Sequence, residues 1–463
     1  MERIRTRFAP SPTGELHLGN ARTALYAALL AAHGALVLRI EDTDAARSQR
    51  QYEEALLADL DWLGVNWDEG PDRGGPYAPY RQSQRLDLYA EFYARLEAAG
   101  WAYPCFCTES ELARQRARQL AAGLPPRYSG NCARLSSAQI AERQTRIAPT
   151  LRLRVPPESV WEFIDLVQGP QSFRSEDLGD FIIRRADGTP SFLFSNAVDD
   201  ALMEITHVLR GADHISNTPR QQIVQKYLGL PIPQYGHLAL IVGNDGKPLS
   251  KRAGSRSLRE LREAGYLPEA VVNHLARLGH FYRENTLLTF AQLATEFNLS
   301  QLGRAPARHD ESALLHWQKE AVMTASEQRL WDWLGTKIDH QIPDRELFIS
   351  TVRPNLLFPR DANQWLQIIY QPDLEFTPEA RNAIINAGSE FYRHAGELLL
   401  THGTDFSEFS RELKKSTGKR GPELFHPLRA ALTGTLVGPE LARLWKIIPV
   451  DQIRRRITEL RID

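Results

Sequence analysis

The first forty residues change from a strand pattern to a helix pattern and back again. Arg3–Phe8 has the length and composition of a short strand, and a turn-rich stretch follows at 9–14. Gly19–Ala32 then places apolar residues at helical spacing and is ended by Gly34. Ala35–Ile40 is largely apolar, as expected of a strand buried on both faces. Strand, helix and strand in this order predict a βαβ unit in a parallel sheet of the nucleotide-binding type.

The pattern changes twice more along the chain. Helical segments at Glu53–Leu63 and Ser83–Ala99 give way to short strand-like runs, which predict a middle region of α+β type. From about Leu258 the periodicity is helical almost to the C-terminus, with interruptions at Pro354–Pro359 and Gln371–Pro378. The predicted fold class is therefore multidomain α/β plus all-α. The strand-like runs of the middle region are Leu151–Val155, Trp161–Gln168 and Asp180–Arg185, and further strand-like runs follow it at Phe192–Phe194, Ile205–Leu209 and Leu238–Val242.

Length and charge limit the kind of protein. A chain of 463 residues corresponds to about three to five domains. Because 56 Lys and Arg are balanced by 57 Asp and Glu, a globally basic surface is excluded, and nucleic acid would have to bind on local patches. No stretch approaches the roughly 20 apolar residues of a membrane span, and no apolar core follows the charged N-terminus as in a secretory signal. We expect a cytoplasmic protein without a membrane segment.

Two loops contain residues suited to phosphate chemistry. The loop Pro10–Asn20 leads into the first predicted helix, whose N-terminus offers unpaired N–H groups to an anion. Within it, Gly14 and Gly19 permit close approach of a ligand, and His17 could donate a hydrogen bond to a phosphate oxygen. The second loop, Lys247–Arg252, holds cations that could clamp a polyphosphate. Either loop alone is also compatible with an ordinary solvent-exposed turn.

The three cysteines of the chain lie close together. Cys105, Cys107 and Cys132 fall within one short segment, and an odd number of clustered thiols in a cytosolic chain favours a metal over disulfides. Structural zinc takes about four ligands and prefers thiolates. Three reduced, unliganded thiols are the alternative.

Together, the two loops resemble the paired HIGH and KMSKS signatures of class I aminoacyl-tRNA synthetases, here His17–Asn20 and Pro248–Arg252. Asn20 replaces the last His of the first signature. Pro248 replaces the first Lys of the second, which leaves the role of Lys247 open. Further segments resemble the glutamyl/glutaminyl branch: Arg7–Gly14, Ala21–Ala24, Arg39–Asp44, Trp62–Gly64, Asp68–Pro71, Asn196–Asp200, Thr206–Gly211, Gly265–Ala270 and Phe425–Gly434.

The resemblance implies a glutamate–tRNA ligase reaction. ATP, accompanied by Mg²⁺, activates L-glutamate to glutamyl-adenylate in a tRNA-dependent step, and the glutamyl group is then transferred to the 3′-end of tRNA-Glu. AMP and pyrophosphate are released. By this resemblance the catalytic residues are His17 and Lys251, and the ATP-binding residues are His17, Gly19, Asn20, Ser250 and Lys251.

The resemblance also assigns the amino-acid pocket. Arg7 matches the position that pairs with the side-chain carboxylate, for which a guanidinium is suited by its bidentate geometry. Glu41 matches the position that binds the α-amino group. Phe192 stands where many relatives have Tyr, so one pocket hydroxyl is missing. The remaining pocket positions by resemblance are Ser11, Asn196 and Arg210. Taken alone, Arg7 could also be a strand-edge cation paired with a surface acid.

The resemblance adds Tyr128 as the fourth ligand of a structural zinc knob formed with Cys105, Cys107 and Cys132. It also implies five parts in the chain. They are the first half of a Rossmann-type catalytic domain (1–88), an acceptor-binding insertion with the zinc knob (89–188), the second half of the catalytic domain (189–237), a stem-contact region with the KMSKS-like loop (238–325), and a helical anticodon-binding domain (326–463).

Several alternatives share the catalytic half. Glutaminyl enzymes have a β-barrel C-terminal half, whereas residues after about 325 are predicted helical here. The related tRNA-Asp-modifying enzyme is a much shorter chain. A form that also charges tRNA-Gln and a non-catalytic tRNA-binding paralogue stay open, and we expect a monomer. Two basic clusters could meet tRNA phosphates or form solvated helix faces: Arg411, Lys414, Lys415, Lys419 and Arg420, and Arg454–Arg456.

Overall fold

The computed structural model describes residues 3–44, 46–124, 126–243, 245–249, 256–335, 342–403 and 405–460. The chain forms two compact units. One contains Met1–Glu263 and Val271–Leu314, and the other contains Ala264–Ala270 and Leu315–Asp463. Numbered in chain order, the strands are β1 Arg5–Phe8, β2 Ala35–Leu38, β3 Ala102–Cys105, β4 Thr150–Leu153, β5 Val160–Asp165, β6 Gly169–Arg174, β7 Phe181–Arg184, β8 His207–Gly211, β9 Gln234–Leu238, β10 Ile241–Val242 and β11 Ala307–Arg308.

The helices of the described residues are concentrated in the second half of the chain. They are α1 Leu18–Leu30, α2 Arg50–Trp62, α3 Leu86–Ala98, α4 Glu109–Ala121, α5 Ser137–Gln144, α6 Ser175–Leu178, α7 Phe192–Leu202, α8 Thr218–Leu228, α9 Leu258–Glu263, α10 Pro268–Ala276, α11 Phe290–Glu296, α12 Glu311–Thr324, α13 Glu327–Leu334, α14 Arg345–Val352, α15 Pro359–Tyr370, α16 Pro378–Ala387, α17 Ser389–His402, α18 Phe406–Thr417, α19 Pro422–Thr433, α20 Leu441–Ile447 and α21 Val450–Thr458.

A parallel sheet of order β2-β1-β8-β9 forms the centre of the first unit. Every residue of β2 is buried, and α1, which connects β1 to β2, is buried on nearly all sides, so the predicted βαβ unit is confirmed. From β1 the chain proceeds outward to β2, whereas from β8 it proceeds outward to β9 on the other side. The order therefore reverses between β1 and β8, and in such sheets the crevice at the carboxyl ends of these strands is the usual ligand site.

The middle of the chain is α+β, as predicted. Strands β3, β4 and β7 form an antiparallel sheet, and β5 and β6 form a separate hairpin. One apolar cluster joins helix α3, strands β4 and β7, and helices α7 and α8. The insertion therefore packs into the same core as the helices that flank the parallel sheet.

The prediction of a strand at Phe192–Phe194 is wrong, because these residues begin helix α7. Ser191 is the residue before the helix, and the buried positions Phe194, Ala197, Val198 and Ala201 follow the three- and four-residue spacing of a helix face. Three aromatic and aliphatic residues in a row suit either a short strand or the first turn of a helix. The residues downstream decide between them.

The second unit is helical throughout its described residues, which confirms the predicted helical C-terminal part. Its core includes Phe348, Phe409 and Leu428, all fully buried. Among the described residues of the chain, no helix has both the length and the apolar content required to cross a membrane.

Two glycines that end helices in this unit permit a matched test of the fold. Gly434 follows α19 with φ +70°, and a Cβ there would collide with the backbone oxygen of Glu375. Gly418 follows α18 with φ +69°, but a Cβ there meets no atom within 4 Å. Gly418→Ala is expected to cost about 1–2 kcal/mol from left-handed strain alone. Gly434→Ala should cost at least about 2 kcal/mol more, since the backbone must also move.

The measurement is the thermal unfolding midpoint of the full chain for both variants. Equal midpoints would show that the backbone around Gly434 and Glu375 can move apart to accept a Cβ at no further cost in stability.

Candidate functional site

The loop between β1 and α1 places His17 at the N-terminus of the helix. His17 Nδ1 accepts hydrogen bonds from the backbone N–H groups of Gly19 at 3.1 Å and Asn20 at 3.4 Å. A neutral ring that accepts at Nδ1 has its proton on Nε2. A Cβ at Gly19 would lie 2.9 Å from Cε1 of His17, so glycine lets the ring fold over the helix end. The ring is solvent-exposed and lies beside a helix N-terminus, where an anion is favoured.

The second loop runs between two anchored ends, one of which pairs with the first loop. Before it, the Leu249 N–H donates to the Ile241 carbonyl oxygen at 3.1 Å, which ties it to β10. After it, Ser257 forms an antiparallel bridge with His17, and the Leu258 N–H donates to the Leu16 carbonyl oxygen at 2.9 Å. Ser250 and Lys251 lie outside the described residues. The residues that follow the second loop, 257–258, are thus held against the first loop.

Close to these loops, the carboxyl ends of the parallel strands enclose a cluster of buried charges. Arg39, which is 0% exposed, donates from Nη1 to Asp200 at 2.8 Å and from Nη2 to the Asn196 amide oxygen at 3.0 Å. Its Nη2 also lies 3.6 Å from Glu41 Oε1. Burial by itself lowers the pKa of Arg39, but the facing carboxylates outweigh it and keep the guanidinium charged.

Arg7 and Arg210 point into this cluster from β1 and β8, the two strands at the reversal point. Arg7 donates from Nε to Asp200 at 3.2 Å and from Nη1 to the Leu209 carbonyl oxygen at 3.2 Å. Arg210 donates from Nε to His237 at 3.0 Å and from Nη2 to Thr218 at 2.6 Å. Arg7 is thus a buried residue, and its interpretation as a strand-edge surface cation is wrong.

Several buried polar atoms of the cluster have no hydrogen-bond partner among the described residues. They are Nη1 of Arg210, Oδ2 of Asp200, Oε1 of Glu41, Nε of Arg39 and Nδ2 of Asn196. Buried polar groups are nearly always paired, because an unpaired one costs about 1–3 kcal/mol. An unpaired guanidinium nitrogen and an unpaired carboxylate oxygen in the same crevice are complementary to a ligand that has both charges.

Glu41 adds a second acid to the pocket. Its N–H donates to the Pro10 carbonyl oxygen at 3.0 Å, which holds it beside the first loop just past the end of β2. Burial raises the pKa of Glu41 to about 7, although Arg39 and Arg7 oppose the shift. Its carboxyl group is therefore only partly ionised at neutral pH until a cation arrives.

The other predicted pocket residues surround the same crevice to different degrees. Asn196 is buried on α7 and is held by Arg39, as described above. Phe192 begins α7 and contacts His214, with ring centroids 5.3 Å apart. Ser11 is exposed in the first loop, where its carbonyl oxygen accepts from the Thr13 N–H at 2.9 Å.

The cysteine cluster forms a second site at the edge of the insertion sheet. The Sγ atoms of Cys105, Cys107 and Cys132 all lie within 4.8 Å of one another, and those of Cys107 and Cys132 are 3.7 Å apart. The Tyr128 hydroxyl oxygen lies 3.4 Å from the Cys105 sulfur and 3.5 Å from the Cys107 sulfur. With Zn–S of about 2.3 Å and Zn–O of about 2.0–2.2 Å, a tetrahedral site has edges of about 3.5–3.8 Å. These separations fit such a site.

The surroundings act differently on the thiols of the cluster: burial and the neighbouring Cys105 and Cys132 raise the pKa of Cys107 to about 12. Arg152 lies over the Tyr128 ring, 3.9 Å from its centroid. Burial by itself raises the pKa of Cys105, but hydrogen bonds from Tyr128 and Arg152 lower it below its ordinary value. A lowered thiol pKa assists metal binding, because the thiolate is the ligand.

Models of two families match almost the whole chain. That of the class I tRNA synthetases (E and Q), catalytic domain, matches residues 3–316, and that of an anticodon binding domain matches residues 337–461. Glutamate–tRNA ligase 2 of Nitrosococcus oceani is 53% identical over 459 residues, covering 98% of this chain and 97% of that protein. Glutamate–tRNA ligase 1 of Methylococcus capsulatus is 51% identical over 462 residues, covering 99% of each. The chain belongs to the glutamate–tRNA ligase family.

The solved structures of this family agree with the fold. A glutamate tRNA ligase from Elizabethkingia meningosepticum, solved in complex with its amino acid, superposes with a TM-score of 0.90 at 28% identity and covers 99% of both chains. Glutamate-tRNA synthetase from Elizabethkingia anophelis gives the same values.

Several residues that shape the site were not among the sequence-based predictions. Arg39 and Asp200 organise the buried charges, and both lie inside segments that resemble the family, so a signal for them existed. Asp165 and His237 had no such signal. They become neighbours only when β5 and β9 meet.

The basic clusters of the C-terminal part have different surroundings from one another. Arg456 is buried and donates to the carbonyl oxygens of Leu432 and Gln371, so it is neither a solvated cation nor one presented to phosphate. Arg411 and Lys415 are exposed and pair with glutamates of their own helix. Helix α18 thus partly neutralises the charge that it presents.

Proposed function

We propose that this chain is a glutamate–tRNA ligase that activates L-glutamate with ATP and transfers it to the 3′-end of tRNA-Glu in the cytoplasm, as a monomer. The observation that supports this most directly is full-length membership of the family together with the crevice of buried charges at the reversal point of the sheet. Glutamate has two carboxylates and one ammonium group. The crevice offers three arginines and two acids to such a ligand.

In the proposed reaction the glutamate α-carboxylate attacks the α-phosphorus of ATP. His17 donates from Nε2 to a phosphate oxygen, and the backbone at Gly19 and Asn20 lies at the helix N-terminus that faces the phosphates. By position in the second signature, Lys251 neutralises the departing pyrophosphate, with Ser250 beside it. Magnesium arrives with the nucleotide. The protein contributes positioning and charge neutralisation, which is most of what phosphoryl chemistry requires.

The amino acid is held by complementary charges. Arg7 has used Nε and Nη1 on protein acceptors, and its Nη2 has no protein partner in the described part of the chain, so it is available for the substrate side-chain carboxylate. Arg210 offers the unpaired Nη1, while Glu41 and the free oxygen of Asp200 receive the ammonium group. Asn196, Ser11 and Phe192 complete the pocket.

The four donors Cys105, Cys107, Tyr128 and Cys132 hold a structural Zn²⁺ in this proposal. Zinc would cross-link the end of β3 to the segment at 128–132 and so fix the shape of the insertion, which is expected to meet the acceptor end of the tRNA. These residues lie in an apolar cluster of their own, separate from the charged crevice, and take no part in the chemistry.

The proposal is tested by ATP–pyrophosphate exchange with glutamate, measured with and without tRNA. Exchange that requires tRNA is the expected result, and absence of exchange under both conditions would refute the ligase activity. Charging of purified tRNA-Glu and tRNA-Gln in parallel then measures tRNA specificity. Equal charging of both would show that the enzyme accepts either tRNA and is not specific for tRNA-Glu.

Arg7→Ala should impair the use of glutamate selectively. Removal of one partner of a buried charge pair costs about 2–5 kcal/mol, which corresponds to a loss of at least about 30-fold in kcat/KM for glutamate. Arg5→Ala is the matched control, since Arg5 lies on the same strand but spends its guanidinium on Glu69 and the Met203 carbonyl oxygen. A glutamate KM in Arg7→Ala equal to that of the control would remove Arg7 from the pocket.

Glutamate binding should weaken as pH falls through 7. Since the pKa of Glu41 is raised to about 7 in the free protein, a growing fraction of its carboxyl groups is neutral below that pH and cannot hold the ammonium group. A single group with this pKa predicts a decrease of about tenfold in kcat/KM for glutamate between pH 8 and pH 6. Glu41→Gln should be less active at pH 8 and show no such slope. The same slope in both proteins would assign it to another group.

Purified protein should contain about one zinc per chain by elemental analysis, since the four donors complete one tetrahedral site. Cys132→Ser should lose the metal. Tyr128→Phe should retain it but release it faster to a chromogenic chelator, because three thiolates remain. Release at the wild-type rate would show that Tyr128 is not a ligand, and absence of metal from the unmutated protein would remove the zinc site.

A further inference from the structure

Arg210 is held from behind by a chain of buried side chains that the proposed reaction does not use. Its Nε donates to His237 Nε2 at 3.0 Å, and its Nη2 donates to the Thr218 hydroxyl at 2.6 Å. His237 Nδ1 lies 2.5 Å from Asp165 Oδ2, and both side chains are completely buried. The order of contacts is therefore Asp165, His237, Arg210 and then the amino-acid crevice.

Asp165 is fixed as a carboxylate. Its Oδ1 accepts the backbone N–H groups of Val167 at 2.9 Å, Gln168 at 2.7 Å and His237 at 3.1 Å. Burial by itself raises the pKa of Asp165, but these bonds and the one to the His237 ring lower it below its ordinary value. An ionised carboxylate accepts only, so Nδ1 of His237 must carry a proton.

His237 is thereby confined to one tautomer. Burial lowers the pKa of the ring, which keeps it neutral, and a neutral ring protonated at Nδ1 has its lone pair on Nε2. That lone pair faces the Nε–H of Arg210. The Thr218 hydroxyl also lies 3.1 Å from Nε2. The other tautomer would point two N–H groups at each other and would break the bond between His237 and Arg210, leaving Arg210 held only by Thr218.

Release of Arg210 has a specific consequence in this cluster. Asp200 is near enough to interact electrostatically with Arg210 and has an unpaired Oδ2. Without His237, the guanidinium would keep only the Thr218 hydroxyl as an acceptor and would be drawn towards Oδ2 of Asp200. Arg210 would then be neutralised by the protein, and its Nη1 would no longer be directed at a ligand.

We propose that Asp165 and His237 are positioning residues for the amino-acid substrate, which fix Arg210 with one guanidinium nitrogen directed at a substrate carboxylate. The proposal rests on the proposed function, because it takes Arg210 to bind glutamate. It also gives hairpin β5–β6 a role in the pocket, since Asp165 is the last residue of β5. That hairpin lies in the region expected to meet the acceptor end of the tRNA.

Two substitutions at one position separate positioning from packing. His237→Gln can place an amide oxygen where Nε2 lies and so keep an acceptor for Arg210. His237→Asn can keep a donor towards Asp165 but is too short to reach Arg210. We expect His237→Asn to raise the glutamate KM at least tenfold with the ATP KM within twofold of wild type, whereas His237→Gln stays within threefold for both.

Asp165→Asn tests the same chain without altering His237. An amide can donate to Nδ1, which would force the ring into the tautomer that cannot accept from Arg210. We expect its glutamate KM to rise as in His237→Asn. The glutamate KM of the double variant Asp165→Asn with His237→Asn should be no higher than that of either single variant. Thermal midpoints of all variants are measured alongside, so that a loss of folding is seen separately. If both His237 variants fail to fold, the glutamate KM of Asp165→Asn alone tests the inference.

The outcomes divide as follows. Wild-type protein that does not charge tRNA-Glu would overturn both the proposed function and this inference. Active wild type with folded His237→Asn and Asp165→Asn at wild-type glutamate KM would overturn the inference alone. Equal impairment of His237→Gln and His237→Asn at equal midpoints would also overturn it, because an acceptor at Nε2 would then be irrelevant.

Discussion

The site depends on the complete burial of Arg39. Its guanidinium bridges Asp200 and Asn196 and faces Glu41 and Asp199, with no access to water. A buried charge is tolerated only if it is paired and hydrogen-bonded, and removal of one partner costs several kcal/mol. Asp200, held by Arg39, in turn orients Arg7. The positions of the acids and of Arg7 are thus tied to a single cation that must be neutralised.

The same cluster is left incomplete in a way that suits a ligand. A protein core normally pairs every buried polar atom, yet Arg210 Nη1 and Asp200 Oδ2 are unpaired. The fold prevents them from pairing with each other, because His237 and Thr218 hold Arg210 back. The unpaired groups cost stability, and a substrate with an ammonium and two carboxylates would recover it. Departure from ideal packing at a functional site is therefore expected.

Three parts of the first unit are stabilised by different forces. The charged crevice depends on long-range ion pairs, the two signature loops on backbone bonds between 16–17 and 257–258, and the cysteine cluster on a local set of sulfur and oxygen donors. The first loop leads into the helix N-terminus at which phosphate is expected to bind. The three parts can thus be altered by separate substitutions.

The local pattern of apolar and polar residues was sufficient to predict features that depend on interactions between residues close together in sequence. The apolar pattern predicted the βαβ start and the helical C-terminal part, and the short sequence separation of Cys105, Cys107 and Cys132 predicted that their thiols would lie close together. The resemblance to a family selected Arg7, Glu41 and Arg210 but gave no reason for their orientation. Only the tertiary structure decided that Phe192–Phe194 starts a helix, that Arg456 is buried, and that Asp165 stands behind His237. Those outcomes depend on contacts between residues that are far apart in sequence. The ion pair of Arg7 with Asp200 is of the same kind, since the two residues are 193 positions apart. The energy of a buried charge is set by such neighbours, which local spacing does not reveal.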